Sequence, residues 1–216
     1  MSVHNTWNVA GSLGSGPVTA RATIGRGRVR MDALNPLFDA FRAFGPDGEA
    51  IADRFGTDNR KFLLVNTGVD YDRGSWFTMA ELVWSYTNSA FGEKLAGYAS
   101  GGYRWRTLTP FAMVSQVKVM SETSVAGLSL DGLPPALAPT AAGLNAGLNG
   151  FLQSSTAQRT LAIGSRWDVM PGIALKVQFD FIDVLQNSNG SFINLQPGFV
   201  PGRNARLASV AATFVF

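Results

Sequence analysis

The sequence has no cysteine and a single histidine, His4, among its 216 residues. The first absence excludes a disulfide framework and thiolate metal sites, and it fits an oxidising compartment. The second leaves no base for a Ser/His/Asp triad and no histidine metal centre, because His4 sits at the frayed start of the chain. Charge is sparse: Asp, Glu, Lys and Arg make up 15% of residues, against about a quarter in an ordinary soluble domain. Long apolar runs are missing too. No stretch approaches the roughly 20 consecutive apolar residues of a spanning helix, so a helical membrane protein is excluded. Residues 1–20 lack a basic start followed by an apolar core, so no secretory signal is read there. A net charge of +3 does not build a nucleic-acid surface. The one basic cluster, Gly25-Arg26-Gly27-Arg28-Val29-Arg30, reads better as the end of a strand.

What is present is alternation. Leu175, Val177, Phe179 and Phe181 fall on one parity and Lys176, Gln178 and Asp180 on the other; Tyr103 and Trp105 oppose Arg104 and Arg106; Leu161, Ile163 and Trp167 oppose Arg166 and Asp168. Period-2 patterning bounded by Gly, Pro, Asn and Asp marks strands. Nine are predicted, at 5–14, 17–30, 61–72, 75–88, 96–107, 110–121, 157–169, 173–185 and 205–216. Low charge without a hydrophobic helix is what a transmembrane barrel predicts, since its strands alternate lipid-facing and lumen-facing side chains.

The connections alternate in length. Gly14-Ser15-Gly16-Pro17, Asp72-Arg73-Gly74-Ser75, Leu108-Thr109-Pro110 and Met170-Pro171-Gly172 read as tight turns, whereas 31–60, 122–156 and 186–204 are long and 89–95 is intermediate. Short turns on one side of the membrane and long loops on the other belong to outer-membrane barrels. Tyr71, Trp76, Tyr103, Trp105, Trp167 and Phe214 collect beside the short turns, as an aromatic belt at a membrane interface would. Helical signals lie in two loops. Asn35-Pro36 supplies a cap and a first-turn proline ahead of Phe38, Phe41 and Phe44, and Leu144, Leu148, Phe151 and Leu152 recur at helical spacing.

The chain ends in Ala211-Ala212-Thr213-Phe214-Val215-Phe216, and a final strand closed by the aromatic Phe216 resembles the assembly signal of bacterial outer-membrane barrels. Gly97-Tyr98-Ala99-Ser100-Gly101-Gly102-Tyr103-Arg104-Trp105 with Leu108-Thr109-Pro110-Phe111 resembles a hairpin of proteobacterial porin-like proteins. So do Gly164-Ser165-Arg166-Trp167-Asp168 running on through Ala174 to Asp180, and Phe192-Ile193-Asn194 with Gln196-Pro197-Gly198-Phe199. The resemblance covers about 96–216. It implies a Gram-negative outer-membrane location and a family of larger porins of about sixteen strands. The expected fold is all-β: a partial antiparallel transmembrane β-barrel of about nine strands, one domain over 1–216, with long extracellular loops containing short helices. Bacterial single-chain barrels have even strand numbers, so nine strands are expected to be the C-terminal portion of a larger barrel, the alternative being a tenth strand inside 122–156.

The function expected on this reading is passive diffusion of small hydrophilic solutes, with no enzyme activity, cofactor or metal. Charged residues on a lipid face cost about 2–4 kcal/mol at the bilayer midplane, so Arg21, Asp70, Glu81, Arg104, Lys118, Arg166, Lys176 and Asp180 are assigned to the pore lining. Five basic against three acidic residues suggest a weak anion preference. Arg166 with Asp180 is a candidate pair across neighbouring strands. Expected partners are outer-membrane lipid and lipopolysaccharide, the barrel-assembly machinery through the C-terminal strand, and the solutes, with a homotrimer left open and nucleic acid excluded. Two alternatives stand: a small non-pore outer-membrane barrel serving as structural anchor or adhesin, and a soluble β-protein binding a hydrophobic ligand. Gly11-Ser12-Leu13-Gly14-Ser15-Gly16 superficially resembles a phosphate-binding loop, but neither Lys-Ser/Thr nor a helix follows, and a hairpin turn accounts for its glycines.

Overall fold

The computed structural model describes residues 1–185 and 188–215. Nine antiparallel strands form one sheet in sequence order: β1 Ser2–Ser15, β2 Val18–Arg30, β3 Arg60–Asp72, β4 Trp76–Thr87, β5 Glu93–Tyr103, β6 Leu108–Val119, β7 Gln158–Met170, β8 Ile173–Val184 and β9 Ala205–Phe214. Every pairing is with the strand before and the strand after, and β1 and β9 are not paired to each other. The sheet is therefore an open meander with two free edges.

All four tight turns lie at one end of the sheet. Three of them use a left-handed residue that glycine adopts without strain, Gly16, Gly74 and Gly172. In the β5–β6 turn that place is taken by Arg106, at φ 54°. This turn occupies 104–107 and not 108–110 as the sequence suggested; Trp105 and Leu108 exchange both backbone hydrogen bonds across it, and Pro110 sits inside β6. The long connections all lie at the other end.

Three helices fill those connections: α1 Asn35–Arg42, α2 Pro46–Phe55 and α3 Ala138–Gln153. Leu34 occupies the cap position of α1, with Asn35 and Pro36 inside the first turn, so the expected Asn35 cap does not form. The α2 helix is an addition to the sequence reading. Phe38, Phe41, Ala52, Phe55, Ala141, Leu148 and Leu152 pack with Ala90 and Leu128 into one buried apolar cluster. Gly48 lies against the Phe41 carbonyl, so that no Cβ could be accommodated where α1 and α2 meet. Arg60, the first residue of β3, donates to the carbonyls of Gly56 at 2.9 Å and Asp53 at 2.6 Å, and to that of Ala52. A cation on the last carbonyls of α2 satisfies groups the helix itself leaves open and opposes the helix dipole.

Candidate functional site

Strand register sorts every side chain to one of two faces, because successive residues alternate and paired residues share a side. On the first face, Arg21 of β2 pairs with Gly68, Gly68 with Glu81, Glu81 with Tyr98, Tyr98 with Ser115, and Ser115 with Thr160. Asp70, Asn66, Gln178 and Asp180 lie on this side. The second face carries Val9, Leu13, Ala22, Ile24, Val69, Leu82, Val114, Ile163, Val177, Phe179 and Val210 across the middle of the strands. Its side chains are largely exposed whereas those of the polar face are more buried, most clearly on β7 and β8, where Thr160, Ala162, Asp180 and Ile182 are buried and Leu161, Ile163, Phe179 and Phe181 are not.

Seven of the eight residues assigned to a pore lining share the polar face. Arg21, Asp70, Glu81, Lys176, Asp180 and Arg166 lie within strands on that side. Arg104 follows β5 and reaches Asp72 on the same side, with two bonds at 2.8 and 2.7 Å. That bond raises the Arg104 pKa above its already high value, so it is cationic at every working pH. The eighth, Lys118, belongs to the apolar face, because it pairs with Leu95 and the strand neighbours Val117 and Val119 take the other side. Its assignment to the polar wall is corrected by that register.

The polar face pairs its charges locally. Arg21 meets Asp70 at 2.8 Å, Arg104 meets Asp72, and Arg166 meets Asp168 at 2.7 Å. The expected Arg166–Asp180 pair does not form: Arg166 stands opposite Lys176, and Asp180 accepts from Gln178 at 2.8 Å. Glu81 accepts from Asn66 and, at 3.2 Å, from Tyr98. The acidic partners Asp72 and Asp168 were not among the sequence candidates, though the alternation of β3 and β7 carried them. They bring the face close to charge balance.

Aromatic rings cover glycines on this same face. Phe62 lies over Gly27, Phe77 over Gly102 and Phe111 over Gly164, each across one strand pair and each closer than an added Cβ would allow. Two of these rings carry a cation on top: the Arg104 guanidinium is 4.7 Å from the Phe77 centroid and the Lys176 ammonium 4.7 Å from that of Phe111. Ring over glycine restores packing that a bare glycine leaves out of a strand, and cation over ring adds roughly 0.5–1 kcal/mol at an exposed site.

The ends of the apolar face differ. At the turn end stand Tyr71, Trp76, Tyr103, Trp105, Trp167 and Phe214, with Trp76 and Tyr103 in ring contact at 4.6 Å. All five tryptophans of the chain, Trp7 and Trp84 included, are on this face. At the loop end it carries Arg26, Arg28, Arg30, Lys61, Glu93, Lys118, Arg159, Asp183 and Arg206. The polar face is partly covered at that end. Ser191 N–H donates to Gln158 Oε1 at 2.9 Å and Gly190 lies against Val184, so the connection after β8 turns in over β7 and β8.

No group of three or more potential metal-ligating side chains occurs among the described residues. Phe216, read as an assembly signal, lies outside the described residues. No known family model matches the chain, and a search of the curated proteins finds no relative for it.

Proposed function

We propose that the sheet is the wall of an outer-membrane β-barrel of porin type, through which small hydrophilic solutes diffuse passively. The observation that carries this is the sorting of the two faces: apolar side chains outward, bounded by aromatics at one end and charges at the other, and a polar face inward. Burying the outward apolar side chains in lipid removes from water surface worth about 25 cal/mol per Å², and a band about 25 Å tall flanked by interfacial residues is how barrels meet a bilayer. The inner face offers hydroxyls, amides and paired charges to water and solutes, and its near-balance argues for weak selectivity of either sign.

The edges add a constraint on closure. β1 and β9 both run from the loop end to the turn end, so they could meet each other only in parallel. An all-antiparallel wall needs an odd number of further strands between them, and seven, the complement to sixteen, meets that condition. Free edges cannot stay unpaired in hydrocarbon.

A second reading, a non-conducting anchor, is favoured by one feature: helices and the β8–β9 connection gather at the loop end. Planar-bilayer recording on protein folded in detergent separates the two. Stepwise conductance in neutral salt supports the porin reading. Silence from membrane-inserted, β-folded protein whose β1 and β9 edges are both paired in a closed wall refutes it in favour of the anchor.

A further inference from the structure

The apolar face is not uniform along its outer end. Its charges there are seven basic, Arg26, Arg28, Arg30, Lys61, Lys118, Arg159 and Arg206, against two acidic, Glu93 and Asp183; of these Arg30 is held by Asp32 and Asp58 in the loop that follows β2. Both carboxylates leave the nearby cations open: Glu93 accepts from Trp84 Nε1 at 2.7 Å, and Asp183, opposite Arg159 in the register, makes no ion pair with it among the described residues. Beneath Lys118 and Arg159 a groove of about 830 Å³ runs down the outside of β4–β6, with Leu82 and Val114 among its walls and Ala99 on its floor. A second depression of about 470 Å³ continues it toward the turn end, past Ala112 to Tyr71.

From Lys118 to Ala112 is six residues, about 20 Å of antiparallel strand. That exceeds half of the roughly 30 Å hydrocarbon core, the depth of one leaflet. An apolar channel of leaflet depth with two open cations at its rim matches an amphiphile with an anionic head and an extended tail. A free anion would leave the channel empty, and a neutral lipid would leave the cations unanswered.

We propose that this groove holds an acyl chain of a phospholipid of net negative charge from the leaflet on the loop side, with Lys118 and Arg159 on its phosphate. The assignment rests on the apolar face being the membrane-facing one. The test is native mass spectrometry of the full chain, delipidated in dodecyl maltoside and titrated with phosphatidylglycerol or phosphatidylcholine of identical chains, with circular dichroism of each variant to establish its fold. Wild type retains phosphatidylglycerol at least tenfold more tightly. Lys118→Ser/Arg159→Ser removes that preference, Ala99→Phe weakens both lipids by filling the groove, and Arg28→Ser, on the same face but outside the groove, changes neither. Equal retention of the two lipids by folded wild type, or a preference that survives the double substitution, overturns the lipid site and leaves the barrel reading standing. A chain that folds in buffer and takes up no detergent overturns the membrane-facing reading itself.

Discussion

Replacing Gly164 by alanine tests whether the ring-over-glycine contacts brace the polar face. A Cβ there would stand 2.5 Å from the Val177 carbonyl and 2.5 Å from the Phe111 ring. The backbone oxygen belongs to a ladder bond and yields little, so the ring must move. Moving it also parts it from Lys176. Overpacking of this kind costs about 1–3 kcal/mol, and losing the cation contact adds roughly 0.5–1 kcal/mol. Gly11, with nothing within 4 Å of an added Cβ, is the control. Alanine there relieves the entropic cost of glycine in a strand and stabilises by about 0.5–1 kcal/mol. Urea titrations of both variants folded in the same detergent measure the difference. If Gly164→Ala and Gly11→Ala shift the midpoint alike, the rings do not brace the wall and the reasoning fails.

Other expectations follow from single sites. Arg60→Met strips three helix-end carbonyls of a charged donor; at about 1.5–3 kcal/mol for a hydrogen bond to a charged group, limited proteolysis should cut 46–58 faster while the strand spectrum is unchanged. Leu148→Ala empties a fully buried position and should cost about 2–5 kcal/mol within the helical cluster, read as faster amide exchange in α1 and α3. Arg106→Gly relieves a left-handed residue in the β5–β6 turn and should stabilise by up to about 1 kcal/mol; an unchanged or lowered urea midpoint would contradict the strain.

The sheet was legible in the sequence because alternation and turn residues agree along most of each strand. All nine predicted strands occur, and β7 and β8 face as their side-chain pattern says. The misassignment of Lys118 has its cause at the loop end. There the polarity of the two faces inverts: Val117, Val119, Ile182 and Val184 lie on the polar face, where three of the four are buried, while Lys118, Arg159 and Asp183 turn outward. A rule that sends charges to the polar face holds only alongside the apolar band, and Lys118 lies beyond it. Pairing failed for a different reason. Period-2 patterning fixes which face a residue takes but not its offset across a hairpin, so Arg166 could not be matched to Asp168 or Asp180 without the register. The α2 helix carries signals of its own in the sequence, with Pro46 in its first turn, Asp47 and Glu49 beside it and Arg54 at its end, the charge order a helix dipole favours.

The central claim is that the apolar face meets lipid, and the five tryptophans, all on that face, report on it directly. With the chain reconstituted in vesicles, tryptophan emission is measured against lipids brominated along their acyl chains and against aqueous iodide. The account predicts strong quenching by the brominated lipids and little by iodide. Emission open to iodide and indifferent to brominated lipid would place that face in water and contradict it.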